Sequence, residues 1–345
     1  MKQRKQYIIG IIAALGMLVM VLDTKTALLG ATEGIDLCLN TVIPSLFPFI
    51  VLSAVISSSM GSCFTAILHP VAALCSMPPG SEILLFIGFL GGYPVGAQSI
   101  YQSYHCGQLT KKDAQRLLGF CNNAGPAFIF GMVGNLFSSS AAVWSIWMIQ
   151  IISALVVGVL LPASNDGSSV SPQVNSLSIS DALRCGIKAT SSICGWVVLF
   201  RILITVCARW LNWIMTPEYK SLFAGILELT NGCISLFDIE HEGLRYILCN
   251  CFLSFGGICV AMQTISVTYD LGMGMYCRGK LMQCLVSFIL SVVIQQHTFA
   301  PEERFFVHPL LIIGGFLTLI FLSEKISLKK SMAFGRRLLY NKENV

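Results

Sequence analysis

The chain has 345 residues, of which 55% are hydrophobic and only 11% charged, with a mean hydropathy of +0.75. Soluble domains carry roughly 25% charged residues, so the composition excludes an ordinary water-soluble enzyme or binding module. It predicts an all-α, polytopic integral membrane protein of about 8–9 transmembrane or re-entrant helices, at ~20 apolar residues each.

The net charge of +5 is gathered at the two ends. Lys2, Arg4 and Lys5 precede the first apolar run, and Lys325, Lys329, Lys330, Arg336, Arg337 and Lys342 follow the last. By the positive-inside rule both termini are expected in the cytoplasm. A basic tail beside a membrane span meets anionic lipid or fixes topology, so nucleic acid is not expected as a partner. Ile8 to Leu22 resembles a signal peptide, but no A-x-A site follows and Asp23 and Lys25 come at once. A retained first span over residues 1–34 is therefore expected.

Ile35 to Ser57 reads as a membrane helix that Pro44 and Pro48 should kink or split, because proline removes a backbone donor. Cys63 to Cys75 is short for a span and is ended by Pro78, Pro79 and Gly80. Ile83 to Tyr104 carries GFLGGYPVG, Gly88 to Gly96, whose four glycines and one proline predict a chain break and close backbone approach. Thr110 and Asp113 form a capping box that opens a helix whose Lys111, Lys112 and Arg116 are expected on the cytoplasmic side.

That helix leads into FCNNAGPAFIFGMVG, Phe120 to Gly134, an apolar stretch broken by Asn122, Asn123, Gly125 and Pro126. In lipid, unpaired backbone groups are tolerated only where they are buried in protein or line a polar cavity. Paired half-helices with polar breaks point to a transporter's binding site. Ala141 to Leu161 is an uninterrupted span, and 162–180, rich in Ser, Asn and Pro, is a linker.

The second half reads as a worn copy of the first. Cys38 to Ser57 resembles Cys185 to Ile204, Leu85 to Gly96 resembles Leu222 to Gly232, and Phe120 to Gly134 resembles Cys251 to Ile265. Two structural repeats with broken helices are expected, over 35–161 and 181–300, with a last helix and basic tail over 301–345. Loop charge does not settle whether they are inverted. Leu281 to Ile294 and Val307 to Leu322 complete the apolar segments.

An ionisable side chain inside a span costs about 2.5–3.5 kcal/mol and calls for an explanation. Glu228, with Thr230, Asn231 and Gly232 beside it, either coordinates a proton, a sodium ion or a polar solute, or sits at a segment end facing water. Asn122 and Asn123 either bind a solute or satisfy the backbone of their own break. Pro126 at a half-helix start would leave N–H groups around Ala124 to Phe128 facing the break, an arrangement that attracts carboxylate or phosphate. Ser254, Gly256 and Gly257 form either the matching break or a tight helix crossing. Arg201 is read as snorkelling and Arg209, beside Trp210 and Trp213, as an interfacial anchor.

Fourteen cysteines are scattered through apolar segments without paired CxxC spacing, and five histidines make no metal spacing. Nothing matches a nucleotide-binding loop, a GxSxG elbow or an HExxH helix. Neither enzymatic activity, nor a metal, nor a cofactor is expected; a coupling ion, H+ or Na+, is the one accessory this reading admits.

FPFIVLS, GFLGGYPVGA, LTKKDAQRLLGFCNNAGPAFIFGMVG, ELTNG and SFGG, taken in order, resemble the sporulation integral membrane protein family that carries the nucleoside-recognition, or Gate, domain. The resemblance implies a multi-pass protein of the mother cell in the membrane around the forespore, moving dipicolinic acid toward the spore. The Gate domain is similar to parts of concentrative nucleoside transporters and of ferrous-iron transporters. The expected function is therefore transport of a small polar, anionic or nucleoside-like solute, with Asn122, Asn123, Gly125, Glu228, Thr230, Asn231, Ser254 and Gly256 as the substrate-binding set. The alternative is a non-transporting partner in spore-envelope assembly. The lipid bilayer, a second copy of the chain and other sporulation membrane proteins are the partners that either reading admits.

Overall fold

The computed structural model describes residues 2–163, 178–210 and 216–322, and every regular element in them is helical. Most of the 162–180 linker, Trp213 and the basic tail lie outside the described residues. Five helical stretches are long and apolar enough to cross a membrane: Thr24–Ile56, Ser140–Leu160, Ile179–Trp210, Glu242–Thr268 and Gly274–Thr298. Shorter apolar helices, among them Pro309–Leu322, accompany them. Polarity is distributed inside-out: Asn250, Ser254, Gln283, Ser287, Ser291 and Gln295 are wholly buried, while Leu52, Trp144, Leu199, Leu281 and Val293 are exposed. Such a surface suits lipid rather than water. The protein is a polytopic, all-α membrane protein.

The chain starts with α1 (Lys2–Leu22) and α2 (Thr24–Leu37), which runs through a π-turn, Cys38–Val42, into α3 (Ile43–Leu74). One expectation is narrowed and another corrected. The prolines do not split the segment: Pro44 occupies the first turn of α3, and Pro48 and Pro70 lie inside it. The irregularity comes before Pro44, where a widened turn accommodates the carbonyls that its missing N–H leaves without a partner. Cys63 to Cys75 is the end of α3 and not a separate short segment.

Next come α4 (Ile83–Leu90), α5 (Val95–His105), α6 (Lys111–Leu118), α7 (Pro126–Gly131) and the straight α8 (Ser140–Leu160). The second half holds the long α9 (Ile179–Trp210), then α10 (Pro217–Leu227), α11 (Leu229–Ser235), α12 (Glu242–Phe255), α13 (Gly257–Thr268) and the straight α14 (Gly274–Thr298), before α15 (Pro309–Leu322). Each half is thus a long helix, two broken helices and a straight helix.

The halves are laid head to tail. Trp210 at the end of α9 donates to Asp23 at the start of α2 (3.3 Å), Cys38 lies against Cys194, and Gly186 near the start of α9 packs on Val51 of α3. The straight helices α8 and α14 are also antiparallel: Phe137, just before α8, packs on Phe299, just after α14, while Leu161 and Met275 both abut Gly119. The long helices of the two halves therefore pack antiparallel, and so do the unbroken helices α8 and α14.

Arg116, unlike its exposed helix neighbours Lys111 and Lys112, is turned into the protein. It is 2% exposed and donates to the carbonyls of Ser76 (3.2 Å), Cys75, Gly158 (2.7 Å) and Leu161 (3.1 Å). These are the C-terminal ends of α3 and α8, where carbonyls lack helical partners and a cation is favoured. The Thr110 capping box forms as expected, with Asp113 N donating to Thr110 Oγ1 at 3.1 Å.

Candidate functional site

Four chain breaks meet at the centre of the helices. In the first half, Gly91 to Pro94 separates α4 from α5, and residues 119–125 separate α6 from α7. In the second, Glu228 separates α10 from α11, and Gly256 and Gly257 separate α12 from α13. The two breaks of each half touch through backbone. A Cβ added to Gly92, whose φ is +73°, would lie 3.0 Å from Gly125 N; one added to Gly257 would lie 3.3 Å from Glu228 N. Only glycine allows backbones so close at these conformations. The halves are joined by Tyr93, whose hydroxyl donates to Leu253 O (3.2 Å) and would meet a Cβ on Gly256 at 3.4 Å.

The polar side chains satisfy the broken backbone. Asn122 accepts from Ala97 N at the start of α5 (3.2 Å) and donates to Thr264 of α13 (3.2 Å). Asn123 donates to the Phe120 carbonyl (2.7 Å). Glu228 is buried, not water-facing, and caps α11: its two oxygens accept from Thr230 N (3.0 Å), Asn231 N (2.7 Å) and Asn231 Nδ2 (2.7 Å). Asn231 Oδ1 in turn accepts from Arg201 (2.9 Å), which pairs with Glu33 at 2.9 Å. Arg201 is therefore a paired charge rather than a snorkelling one. Arg209 stays exposed at the end of α9, donating to Thr26 at 2.6 Å and pairing with Asp23 at 3.4 Å.

The charge at the centre is one that the sequence reading missed. Lys280, on α14, is 1% exposed, and its ammonium donates to Asn123 Oδ1 (3.1 Å), Tyr93 Oη (3.1 Å) and Gln283 Oε1 (2.8 Å). Its three partners present acceptors. The Tyr93 proton is directed to Leu253, the Asn123 amide nitrogen to Phe120, and the Gln283 amide nitrogen to the Gln150 carbonyl (3.4 Å). Only a protonated amine supplies three N–H donors. Among the described residues no carboxylate lies within ion-pair distance of it.

From Lys280 a buried polar seam runs along α14 through Gln283 and Ser287. Ser254 joins it, bonded to Ser287, to Gln150 (3.0 Å) and to the Asn250 carbonyl (2.8 Å). Of the expected site residues, Asn123 bonds Lys280 directly, Gly256 lies against its partner Tyr93, and Ser254 lies further along the seam, while Asn122 and Gly125 belong to the same break as Asn123. Glu228, Thr230 and Asn231 form a neighbouring cluster on the other side of Gly257. Pro126 opens α7 as the sequence implied, with Gly125 as its N-cap, and Lys280 bonds Asn123 in the same break.

A cavity of about 560 Å³ opens between the π-turn and the ends of α7 and α11, lined by Asn40, Thr41, Ser45 and Asn135. Met132 and Leu136 on its wall belong to the buried apolar cluster that includes Tyr93 and Phe128. Among the described residues no group of His, Cys, Asp and Glu could hold a metal ion.

No protein-family model matches the chain, and no solved structure matches it. Over 111 residues it is 31% identical to the sporulation integral membrane protein YlbJ of Bacillus subtilis (strain 168). The match covers 32% of this chain and 27% of that relative's length.

Proposed function

We propose that the chain is a secondary transporter or facilitator for a small polar or anionic solute, acting in the membrane around the developing spore, with both termini in the cytoplasm. The observation that carries the reading is the meeting of four chain breaks, two from each half, around the buried amine of Lys280. Chain breaks in a membrane core expose backbone groups and cost stability that unbroken helices would keep. Four of them at one point, with a charge among them, suit a moving site better than a static scaffold. The sporulation setting rests on the partial likeness to the Bacillus subtilis protein and on the Gate-like motifs; dipicolinate is the first solute to try, a nucleoside the second. H+ or Na+ would serve as coupling ion, and no enzymatic role is proposed.

One observation favours the second reading, a non-transporting partner in spore-envelope assembly. Asn123 and Glu228 each bond the backbone of their own break, as packing alone would require.

The test is uptake of labelled dipicolinate, with uridine in parallel, into proteoliposomes under H+ and Na+ gradients. Saturable flux of either solute that Lys280→Gln lowers at least about tenfold supports a transporter with this site. A folded wild-type protein that moves neither solute under any gradient points to the assembly partner.

A further inference from the structure

The π-turn between α2 and α3 carries Asn40 and Thr41, and Ser45 follows one turn on, all within the apolar stretch Thr24–Ile56 that is long enough to cross a membrane. An amide or hydroxyl facing lipid tails is costly unless it finds a hydrogen-bond partner. These three residues, with Asn135, line the cavity of about 560 Å³ instead. Its rim reaches the surface at Asn40 and Asn135, which are exposed. Two short helices, one from each half, tie it to the central breaks. α7 begins at Pro126, directly after the 119–125 break, and ends on the cavity wall with Gly131; α11 begins directly after Glu228 and reaches the wall with Ile234. With six residues in α7 and seven in α11, a rise of about 1.5 Å per residue puts the cavity about 10 Å from both breaks. Met132 on its wall shares a buried apolar cluster with Tyr93, the partner of Lys280.

We infer that this cavity is a water-filled vestibule by which small polar solutes approach the central breaks from one side of the membrane. The inference rests on the transport reading and adds to it the route of entry. The chemistry of the wall selects water as the resident: an acyl chain lodged there would deny the amides and hydroxyls the partners that water supplies. Ser45 turns its proton to the Thr41 carbonyl (2.6 Å) and Asn135 its amide nitrogen to the Gly131 carbonyl (3.3 Å), which leaves their oxygens as acceptors. The volume suffices for a ring-sized solute, since ligand pockets run roughly 300–1,000 Å³. Among the described residues that line it none is charged, so solutes pass by hydrogen bonding and are not sorted by charge before they reach the breaks.

The experiment introduces single cysteines into the full-length chain, held in lipid nanodiscs that leave both faces open, and follows labelling by a sulfonated maleimide residue by residue in the mass spectrometer. Maleimide captures the thiolate, which forms in water and not against lipid tails. Thr41→Cys labels at least about tenfold faster than Leu39→Cys, whose position lies in the same turn but is exposed on the apolar outer surface. Ser45→Cys exchanges one atom, so the test stands if Thr41→Cys does not fold. Equal rates at positions 39 and 41, or no labelling at 41 and 45, overturn the vestibule. Thr41→Trp, which fills the cavity, lowers the flux of whichever of dipicolinate and uridine the wild type carries by at least about tenfold; unchanged flux in that variant overturns the route. Fast labelling at position 41 in a protein that moves neither solute sinks the transport reading and leaves the water-filled vestibule standing.

Discussion

Lys280 of the straight helix α14 donates to Asn123 in the break between α6 and α7 at 3.1 Å. One bond therefore links an unbroken helix of the second half to the polar interruption of the first. Lys280→Met would leave the acceptors on Asn123, Tyr93 and Gln283 without a donor. Each unsatisfied buried group costs about 1–3 kcal/mol, so the unfolding midpoint in detergent should fall clearly. A midpoint equal to wild type would show that these bonds contribute nothing.

Arg116 gathers the carbonyl ends of two helices, and its fork geometry matters as much as its charge. Arg116→Met should cost on the order of 3–5 kcal/mol, as expected when one partner of a buried charged network is removed. Arg116→Lys should recover little of this, because a single ammonium cannot reach four separated carbonyls. Thermal unfolding of the two variants side by side measures both effects.

The glycines give a paired comparison. Gly257 has φ +75°, and a Cβ there would lie 3.2 Å from the carbonyls of Gly225 and Leu227, whereas a Cβ on Gly195 of α9 would meet nothing within 4 Å. Gly257→Ala should destabilise by more than about 1 kcal/mol. Gly195→Ala should be neutral or stabilise by up to about 1 kcal/mol through helix propensity. Similar unfolding midpoints for both would contradict the close approach of the two breaks.

Glu228 acts first as a cap. Glu228→Gln keeps one acceptor oxygen and should lower stability by about 1 kcal/mol, while Glu228→Ala strips the cap from Thr230 N and Asn231 N and should cost about 2 kcal/mol. Both are read from the same unfolding curves. A larger loss of flux than of stability in Glu228→Gln would give its charge a role in transport as well.

Much of the architecture was legible in the residues. Gly91, Gly92 and Pro94, then Asn122 to Pro126, then Gly256 and Gly257 mark breaks because glycine and proline act locally on the backbone, wherever the chain folds. Lys280 was not legible for an equally physical reason. A hydropathy reading trims an apolar segment at its first charge and so began this helix at Leu281, although the helix starts at Gly274 and the lysine is buried within it. Its acceptors come from Tyr93 and Asn123, far away in sequence. The burial of Arg116 was hidden likewise, since the carbonyls that hold it belong to residues some 40 positions distant on either side. Pro44 and Pro48 suggested a kinked or split helix, and the helix runs on through a widened turn before Pro44.

Two halves whose long helices pack antiparallel present opposite helix ends to the two sides of the bilayer. Under the transport reading, an exchange of conformation between the halves would open the protein to the other side. In a transporter of this build, alternating access needs no separate hinge domain. A lesion in one half and its counterpart in the other would bias the protein toward opposite sides of the membrane.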